Sequence, residues 1–96
     1  MRFQWDSRKA RSNVAKHGVS FDVAITAFDD PFALVATDDA HSDEELREWL
    51  VGRSDRGVLV VVFTKRANGA VYRVISARRA SRQERPQYED ARDFPI

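Results

Sequence analysis

The chain has 96 residues, of which 43% are apolar, and it carries a formal net charge of +1 and no cysteine. This length suits one domain with one modest core, residues 1–96, and the lack of cysteine excludes disulfides, thiol nucleophiles and thiolate zinc sites. No apolar run approaches the roughly 20 residues that a membrane-spanning helix needs, and the N-terminus lacks the apolar core of a signal peptide, so we expect a cytoplasmic protein.

The small net charge conceals a strong separation of charge along the chain. Residues 1–18 sum to +4, residues 19–50 to −8, residues 51–85 to +7 and residues 86–96 to −2. If the two basic blocks meet in the fold, they form a cationic surface suited to phosphates, and the acidic block offers a docking site for a basic partner. The alternative interpretation of each block is an ordinary solvated face.

The first third of the chain predicts a short strand and a tight helical hairpin. The strand Arg2–Trp5 leads into Asp6, which caps the first helix; Gly18 ends that helix and Ser20 caps the second. The sequence Asp30-Pro31 ends the second helix. The core-facing stripes of the two helices are Ala10, Val14 and His17, and then Phe21, Ala24, Ile25 and Phe28.

The rest of the chain predicts four strands and a last helix. The strands are Phe32–Thr37, Arg47–Arg53, Val58–Thr64 and Val71–Arg78, with an acidic loop over Asp38–Glu45 and an Asn-Gly turn over Ala67–Ala70. The second of these strands overlaps a segment, Glu44–Leu50, that is also compatible with two helical turns. Ser81 and Glu84 have the spacing of a capping box and predict the start of the last helix, although Pro86 predicts that it begins or kinks there.

The order β-α-α-β-β-β-β-α predicts an α+β domain in which an antiparallel sheet packs its helices on one face. Basic side chains cluster around its central hairpin and at the start of the last helix. They are Lys65, Arg66, Arg73, Arg78, Arg79, Arg82 and Arg85. Strand alternation predicts that Arg73 and Arg78 point to opposite faces unless a bulge intervenes.

Arginine suits a phosphate because its rigid fork makes two hydrogen bonds and its charge persists at any working pH. The alternative for any one of these arginines is a surface salt bridge. Metal-free RNA cleavage also needs a base for the 2′-hydroxyl proton and an acid for the leaving 5′-oxygen. The candidates for proton transfer are His17, Lys65, Glu84 and Tyr88.

The positions of the two histidines predict different roles for them. His17 lies on a core-facing stripe, where a hydrogen-bonded structural histidine at a helix C-terminus is the alternative to a proton-transfer group. His41 is expected to be an exposed bystander in the acidic loop. Because the histidines have no companion ligand motif, and the glycines are scattered singly rather than gathered in a phosphate loop, we expect neither a metal nor a cofactor.

A series of short motifs lies along the chain from residue 3 to about residue 89. They are Phe3-x-Trp5-Asp6, Lys9, Asn13, Lys16-His17-Gly18-Val19-Ser20-Phe21, Ala24, Phe28-x-Asp30-Pro31, Arg73-Val74-Ile75-Ser76-Ala77-Arg78-Arg79-Ala80, Glu84-Arg85 and Tyr88. Together they resemble the BrnT family of bacterial toxins. The resemblance implies a RelE-like ribonuclease, the toxin of a type II toxin-antitoxin pair, which cuts RNA and inhibits translation. It also implies a ribbon-helix-helix antitoxin, BrnA, that neutralises the toxin and lets the complex bind operator DNA.

The resemblance implies that basic side chains at the ends of the central strands contact the scissile phosphate. They are Lys65, Arg66, Arg78 and Arg79. Arg66 and Arg78 are the preferred catalytic cations, and Glu84 and Tyr88 are candidates for proton transfer or base stacking. The expected RNA-binding residues are Lys16, Arg73, Arg79, Arg82 and Arg85. The alternatives are a non-catalytic module that binds RNA or a partner and acts as co-repressor with the antitoxin, and an inactive member of the family.

Overall fold

The computed structural model describes residues 1–39 and 45–93, so the predicted acidic loop lies largely outside the described residues and His41 lies entirely outside them. The strands are β1 (Arg2–Gln4), β2 (Leu34–Thr37), β3 (Arg47–Ser54), β4 (Gly57–Arg66) and β5 (Val71–Arg79). The α-helices are α1 (Ser7–His17), α2 (Phe21–Ala24) and α3 (Glu84–Asp93), and a 3-10 helix, Ile25–Asp29, follows α2. No helix within the described residues has the length and apolar composition needed to cross a bilayer.

The five strands form one sheet in the order β1-β5-β4-β3-β2. The pairs from β2 to β5 are antiparallel, as predicted, and the β4–β5 turn has positive φ angles at Ala67, Asn68 and Gly69, as its Asn-Gly sequence indicated. The prediction of an entirely antiparallel sheet is wrong for β1, which pairs with β5 in parallel. The helices α1 and α2 and the strands β2 to β4 all lie between β1 and β5 along the chain, so no short hairpin constrains this pair to be antiparallel.

The alternating side chains of β4 contribute to two separate cores. Leu59, Val61 and Phe63 pack with the residues of α2 and the 3-10 helix, whereas Val58 and Val60 pack with Tyr88 of α3. We call the first side of the sheet the helical face and the second the groove face. The prediction that all helices pack on one face is therefore wrong, and the physical reason is visible in β4: a continuous apolar run is typical of a strand buried on both faces.

The predicted helix caps in the N-terminal region are confirmed. The Asp6 carboxylate accepts hydrogen bonds from the amides of Arg8 and Lys9, at 2.8 and 3.2 Å, and Gly18 ends α1 with φ of 70°. The Ser20 hydroxyl accepts a hydrogen bond from the Val23 amide at 3.1 Å. The second helix is a single α-turn that continues as the 3-10 helix and ends before Asp30.

The residue that α1 buries most deeply is polar. Asn13 is 6% exposed, whereas Val14, which was predicted to face the core, is 48% exposed. The Asn13 amide nitrogen donates to the carbonyls of Val19 and Ala77, at 2.9 and 2.8 Å, and its oxygen accepts from the Ala77 amide at 3.1 Å. β1 pairs with only the first part of β5, from residue 71 to residue 73, so Asn13 supplies the donor and the acceptor that a longer neighbouring strand would present to Ala77.

A β-bulge sets the direction of the arginines on β5. The β4–β5 register shifts between Val62 and Phe63, which leaves Ile75 as the extra residue. Simple alternation places Arg73 and Arg78 on opposite faces, but the bulge restores both to the groove face. The prediction from strand alternation had named a bulge as the exception.

The capping box at the last helix is confirmed. The Ser81 hydroxyl accepts from the Glu84 amide at 3.1 Å, and the Glu84 carboxylate accepts from the Ser81 amide at 2.8 Å. The α-helix itself begins at Glu84, and Pro86 is its third residue. In the first turn of a helix a missing N–H leaves no intrahelical hydrogen bond unmade, so the proline is accommodated there.

Candidate active site

A groove of about 550 Å³ lies between α3 and the groove face of the sheet. It is lined by Leu34, Asp38, Trp49, Val51, Val60, Val62, Arg78, Glu84 and Gln87. The valines of β3 and β4 form its floor, and the charged and amide side chains stand at its rim. This volume and this mixture of an apolar floor with few polar groups are typical of ligand-binding sites.

Arg78 and Glu84 form a two-pronged ion pair at the rim of the groove. Arg78 Nη1 donates to Glu84 Oε1 at 2.6 Å, and Arg78 Nη2 donates to Glu84 Oε2 at 2.8 Å. The hydrogen bonds from Arg78, helped by those from Ser81, hold the pKa of Glu84 at about 2, and the hydrogen bond to Glu84 raises the pKa of Arg78. The side chains are 43% and 34% exposed, so a ligand in the groove can reach both.

Local structure positions both members of this pair. Arg78 follows the bulge and lies opposite Val60 in the ladder, which directs it over the groove. Glu84 is held by the capping box, since its Oε1 accepts from both the Ser81 amide and Arg78. One carboxylate thus joins the arginine of β5 to the N-terminal end of α3.

Arg66 lies on the same face as Arg78 but at the far end of β4. Six residues separate it from Val60, the partner of Arg78, which corresponds to roughly 20 Å along a strand. Arg66 Nη2 donates to Glu45 Oε1 at 2.7 Å, and this hydrogen bond lowers the pKa of Glu45. The structure therefore does not bring the two preferred catalytic cations to one phosphate.

Lys65 points to the helical face, away from the groove. Its Nζ lies 3.4 Å from Glu48 Oε1 and 5.6 Å from the centre of the Tyr72 ring, which stacks on Phe63 in the helical-face core. Lys65, like Arg66 and Arg78, is thus paired with a carboxylate. Two of the three carboxylates come from the acidic block at residues 19–50, so part of that block neutralises the basic residues of β4.

The residues predicted to bind RNA lie on different parts of the surface. Arg73 is on the groove face and its Nη1 donates to Gln4 Oε1 at 3.3 Å, while Arg82 and Arg85 are exposed in the turn before α3 and in its first turn. Arg79 Nη1 donates to the Arg56 carbonyl at 3.0 Å. The last predicted residue, Lys16, is exposed in the last turn of α1.

Tyr88 is fully buried beneath α3, and its hydroxyl donates to Asp30 Oδ2. Burial and the Asp30 carboxylate both raise the pKa of Tyr88. Burial acts to raise the pKa of Asp30, but the hydrogen bonds from Tyr88 and from the amides of Arg53 and Phe32 together lower it. This placement does not support the predicted roles of Tyr88 in proton transfer or base stacking, because its ring lies within the core.

His17 is half-buried at the end of α1, and α1 packs on the helical face. The sheet therefore separates His17 from the Arg78–Glu84 pair. Within residues 1–39 and 45–93, no group of three or more histidine or acidic side chains is placed to hold a metal ion.

Sequence reasoning did not single out Trp49, which lines the groove. The signal was present but weak. Trp49 and Val51 alternate in the segment that was interpreted as a strand, so their side chains share one face. Which face they share depended on the pairing of β3 with β4, and this pairing is not encoded locally.

The chain matches the model of a known protein family. A family model described as the ribonuclease toxin BrnT of type II toxin-antitoxin systems matches residues 5–84. The chain belongs to this family. Membership implies an RNA substrate and an antitoxin partner, and the matched span includes both residues of the Arg78–Glu84 pair but ends before Tyr88. No curated protein matches the chain.

Proposed function

We propose that this BrnT-family chain is a metal-independent endoribonuclease that cleaves RNA through the 2′-hydroxyl and thereby inhibits translation. The observation that carries the proposal is the Arg78–Glu84 pair at the rim of the groove. Of the residues predicted for catalysis, these two lie in direct contact, and each can reach a ligand in the groove. They combine a cation for the phosphate with a carboxylate for proton transfer.

In the proposed reaction, a phosphate of the RNA takes the place of the Glu84 carboxylate on the fork of Arg78. Glu84 then loses the hydrogen bonds from Arg78, which contribute most to the lowering of its pKa, and its basicity rises. Glu84 accepts the proton of the 2′-hydroxyl as the 2′-oxygen forms a bond to phosphorus and the bond to the 5′-oxygen breaks. A water molecule in the open groove gives a proton to the leaving 5′-oxygen. Arg78 stabilises the charge that develops on the phosphate oxygens.

The remaining cations define the path of the RNA around this centre. Arg82 and Arg85, next to the groove at the start of α3, and Arg73 and Arg66, farther along the groove face, are assigned to flanking phosphates. Their contributions are additive and salt-dependent rather than catalytic. His17, Lys65 and Tyr88 are left out of the proposed catalytic set because of where they lie.

The test is incubation of labelled RNA with purified protein in the presence of EDTA. We expect cleavage with EDTA present, products that end in a 2′,3′-cyclic phosphate, and loss of at least about 100-fold in rate for Arg78→Ala, typical of removing one stabilising donor. Arg11→Ala, which removes an exposed arginine on α1, is the matched control and should cleave normally. Full activity of Arg78→Ala, or activity that EDTA abolishes, would contradict the proposal.

A second candidate function is a non-catalytic module that binds RNA or a partner and represses together with the antitoxin. The observation that favours it is that Lys65, Arg66 and Arg78 are all paired with carboxylates, as expected of residues that stabilise a fold. This candidate predicts salt-sensitive RNA binding without new RNA ends. The cleavage assay separates the two functions directly.

For the partner, we propose a ribbon-helix-helix antitoxin of the BrnA type, through which the complex binds operator DNA. The support is family membership together with the acidic block, which offers charge complementarity to a basic partner. Co-expression with the protein encoded by the adjacent reading frame should relieve toxicity, and the purified complex should shift operator DNA that the toxin alone does not shift. Toxicity that the adjacent protein leaves unchanged would contradict this assignment.

A further inference from the structure

The groove contains an aromatic side chain that the proposed reaction does not use. Trp49 is half-buried and lines the groove, and it packs against the groove-face core together with Leu34. In the ladder its neighbours are Ala36 of β2 and Val62 of β4, both small and apolar. The indole therefore has apolar partners on both neighbouring strands, while the charged side chains of Asp38, Arg78 and Glu84 line the same groove.

Trp49 differs from the aromatic residues on the other side of the sheet. The ring pairs found within the described residues all lie on the helical face, and they involve Phe3, Trp5, Phe21, Phe28, Phe63 and Tyr72. Trp49 takes part in none of them. Its aromatic surface is thus not used in packing against another ring.

The distance from Trp49 to the arginine suits one nucleotide. Trp49 lies opposite Val62, and Arg78 lies opposite the next groove-face residue of β4, Val60. The two side chains arise two strands apart and two residues apart along the strand direction, which together correspond to roughly 12 Å. An extended arginine and a nucleotide with its phosphate cover this separation. Gln87 of α3, at the same rim, adds an amide that can hydrogen-bond a base edge.

We infer that Trp49 is the stacking platform for one nucleobase of the RNA, whose neighbouring phosphate is held by Arg78. The inference rests on the proposed function and extends it to a base-binding subsite. A base is favoured over other occupants because the floor is apolar and aromatic while the cation stands at one end. Stacking of a base on an aromatic side chain is tolerant of sequence, so the subsite contributes affinity at every base.

The fluorescence of Trp49 tests the inference directly. The chain has two tryptophans, so Trp5→Phe leaves Trp49 as the only indole. The probe is a single-stranded 2′-O-methyl RNA, which lacks the attacking hydroxyl and is not cleaved. We expect saturable quenching of Trp49 by this RNA, and no quenching by inorganic polyphosphate, which competes for Arg78 but has no bases.

Affinity provides a second measurement. Trp49→Ala should weaken binding of the 2′-O-methyl RNA roughly tenfold, and Trp49→Phe should retain most of the affinity. Phe32→Ala removes an exposed aromatic ring outside the groove lining and is the matched control, with unchanged affinity. If Trp49→Ala does not fold, the quenching experiment still decides the question.

The outcomes distinguish this inference from the proposed function. Binding of the 2′-O-methyl RNA without quenching, or with equal affinity for the wild type and a folded Trp49→Ala, would overturn the inference and leave the groove to another occupant, such as an antitoxin side chain. Quenching by the 2′-O-methyl RNA with no cleavage of unmodified RNA would instead refute the proposed ribonuclease activity and retain the base subsite.

Discussion

The two faces of the sheet are built in contrasting ways. The helical face is closely packed: Asn13 makes three buried hydrogen bonds, and a Cβ added to Gly52 would lie 2.8 Å from the Ala27 carbonyl oxygen. The groove face is covered by one helix, with Tyr88 as its fully buried anchor and the Arg78–Glu84 pair at its rim. The interactions that stabilise the fold are thus concentrated on the helical face. The groove face carries an open site with ion-paired cations.

The largest effect of a single substitution is expected on the helical face. Asn13→Ala leaves the Val19 carbonyl and both backbone groups of Ala77 buried without partners, so we expect a loss of about 3 kcal/mol in the free energy of unfolding. Urea denaturation measures this change. Ser12→Ala, at the exposed position next to Asn13, is the control and should change stability little. Equal midpoints for the two variants would show that Asn13 does not secure this face.

A smaller effect is expected from the anchor of the groove face. Tyr88→Phe keeps the ring in the core but removes the hydrogen bond to Asp30, which should cost about 2 kcal/mol, a value typical of a bond to a charged acceptor. Hydrogen exchange should show the loss of protection in α3 before the helical face is affected. Tyr72→Phe, within the helical-face aromatic cluster, is the matched control. Uniform loss of protection across both faces would contradict a separately anchored α3.

The confirmed predictions on both faces depend on residues that are close together along the chain. The caps at Asp6 and Ser20 and the capping box at Ser81 are local patterns, and all three are confirmed. The contact between Arg78 and Glu84 was not predicted, although it is local as well, because a single capping turn separates the two residues. These features follow from spacing along the chain and need no knowledge of the tertiary fold.

The predictions that fail depend on pairing between distant segments. Sequence alternation cannot show that β1 joins β5 in parallel, or that α3 packs on the face opposite α1. Val14 was preferred over Asn13 for the core because hydrophobicity alone does not reveal that the edge of β5 needs a polar partner. The placement of Arg66 far from Arg78 is likewise a consequence of strand register.

The pH dependence of stability provides a third, weaker test on the groove face. The pKa of Glu84 is about 2, below its usual 4.5, so its ionised form stabilises the folded state above pH 4.5 and this contribution is lost as the pH falls towards 2. Because a third of the side chain is exposed to solvent, we expect about 1 kcal/mol. Over this range the wild type should lose more stability than Glu84→Gln in urea melts, and parallel curves would contradict the assignment.

The smallest effect is expected at the far end of the same face, where Glu45 pairs with Arg66. Both side chains are close to half exposed, 48% and 42%, so water and salt screen this pair, and its carboxylate is more exposed than that of Glu84, at 34%. Glu45→Gln should leave the melting temperature unchanged within error. It removes a negative charge beside a cation assigned to flanking phosphates, so affinity for 2′-O-methyl RNA should rise about twofold at low salt and not at high salt. A decrease in affinity would show that Glu45 positions Arg66 for RNA rather than competing with it. Arg66 would then join Arg78 as a cation that its carboxylate partner holds in place.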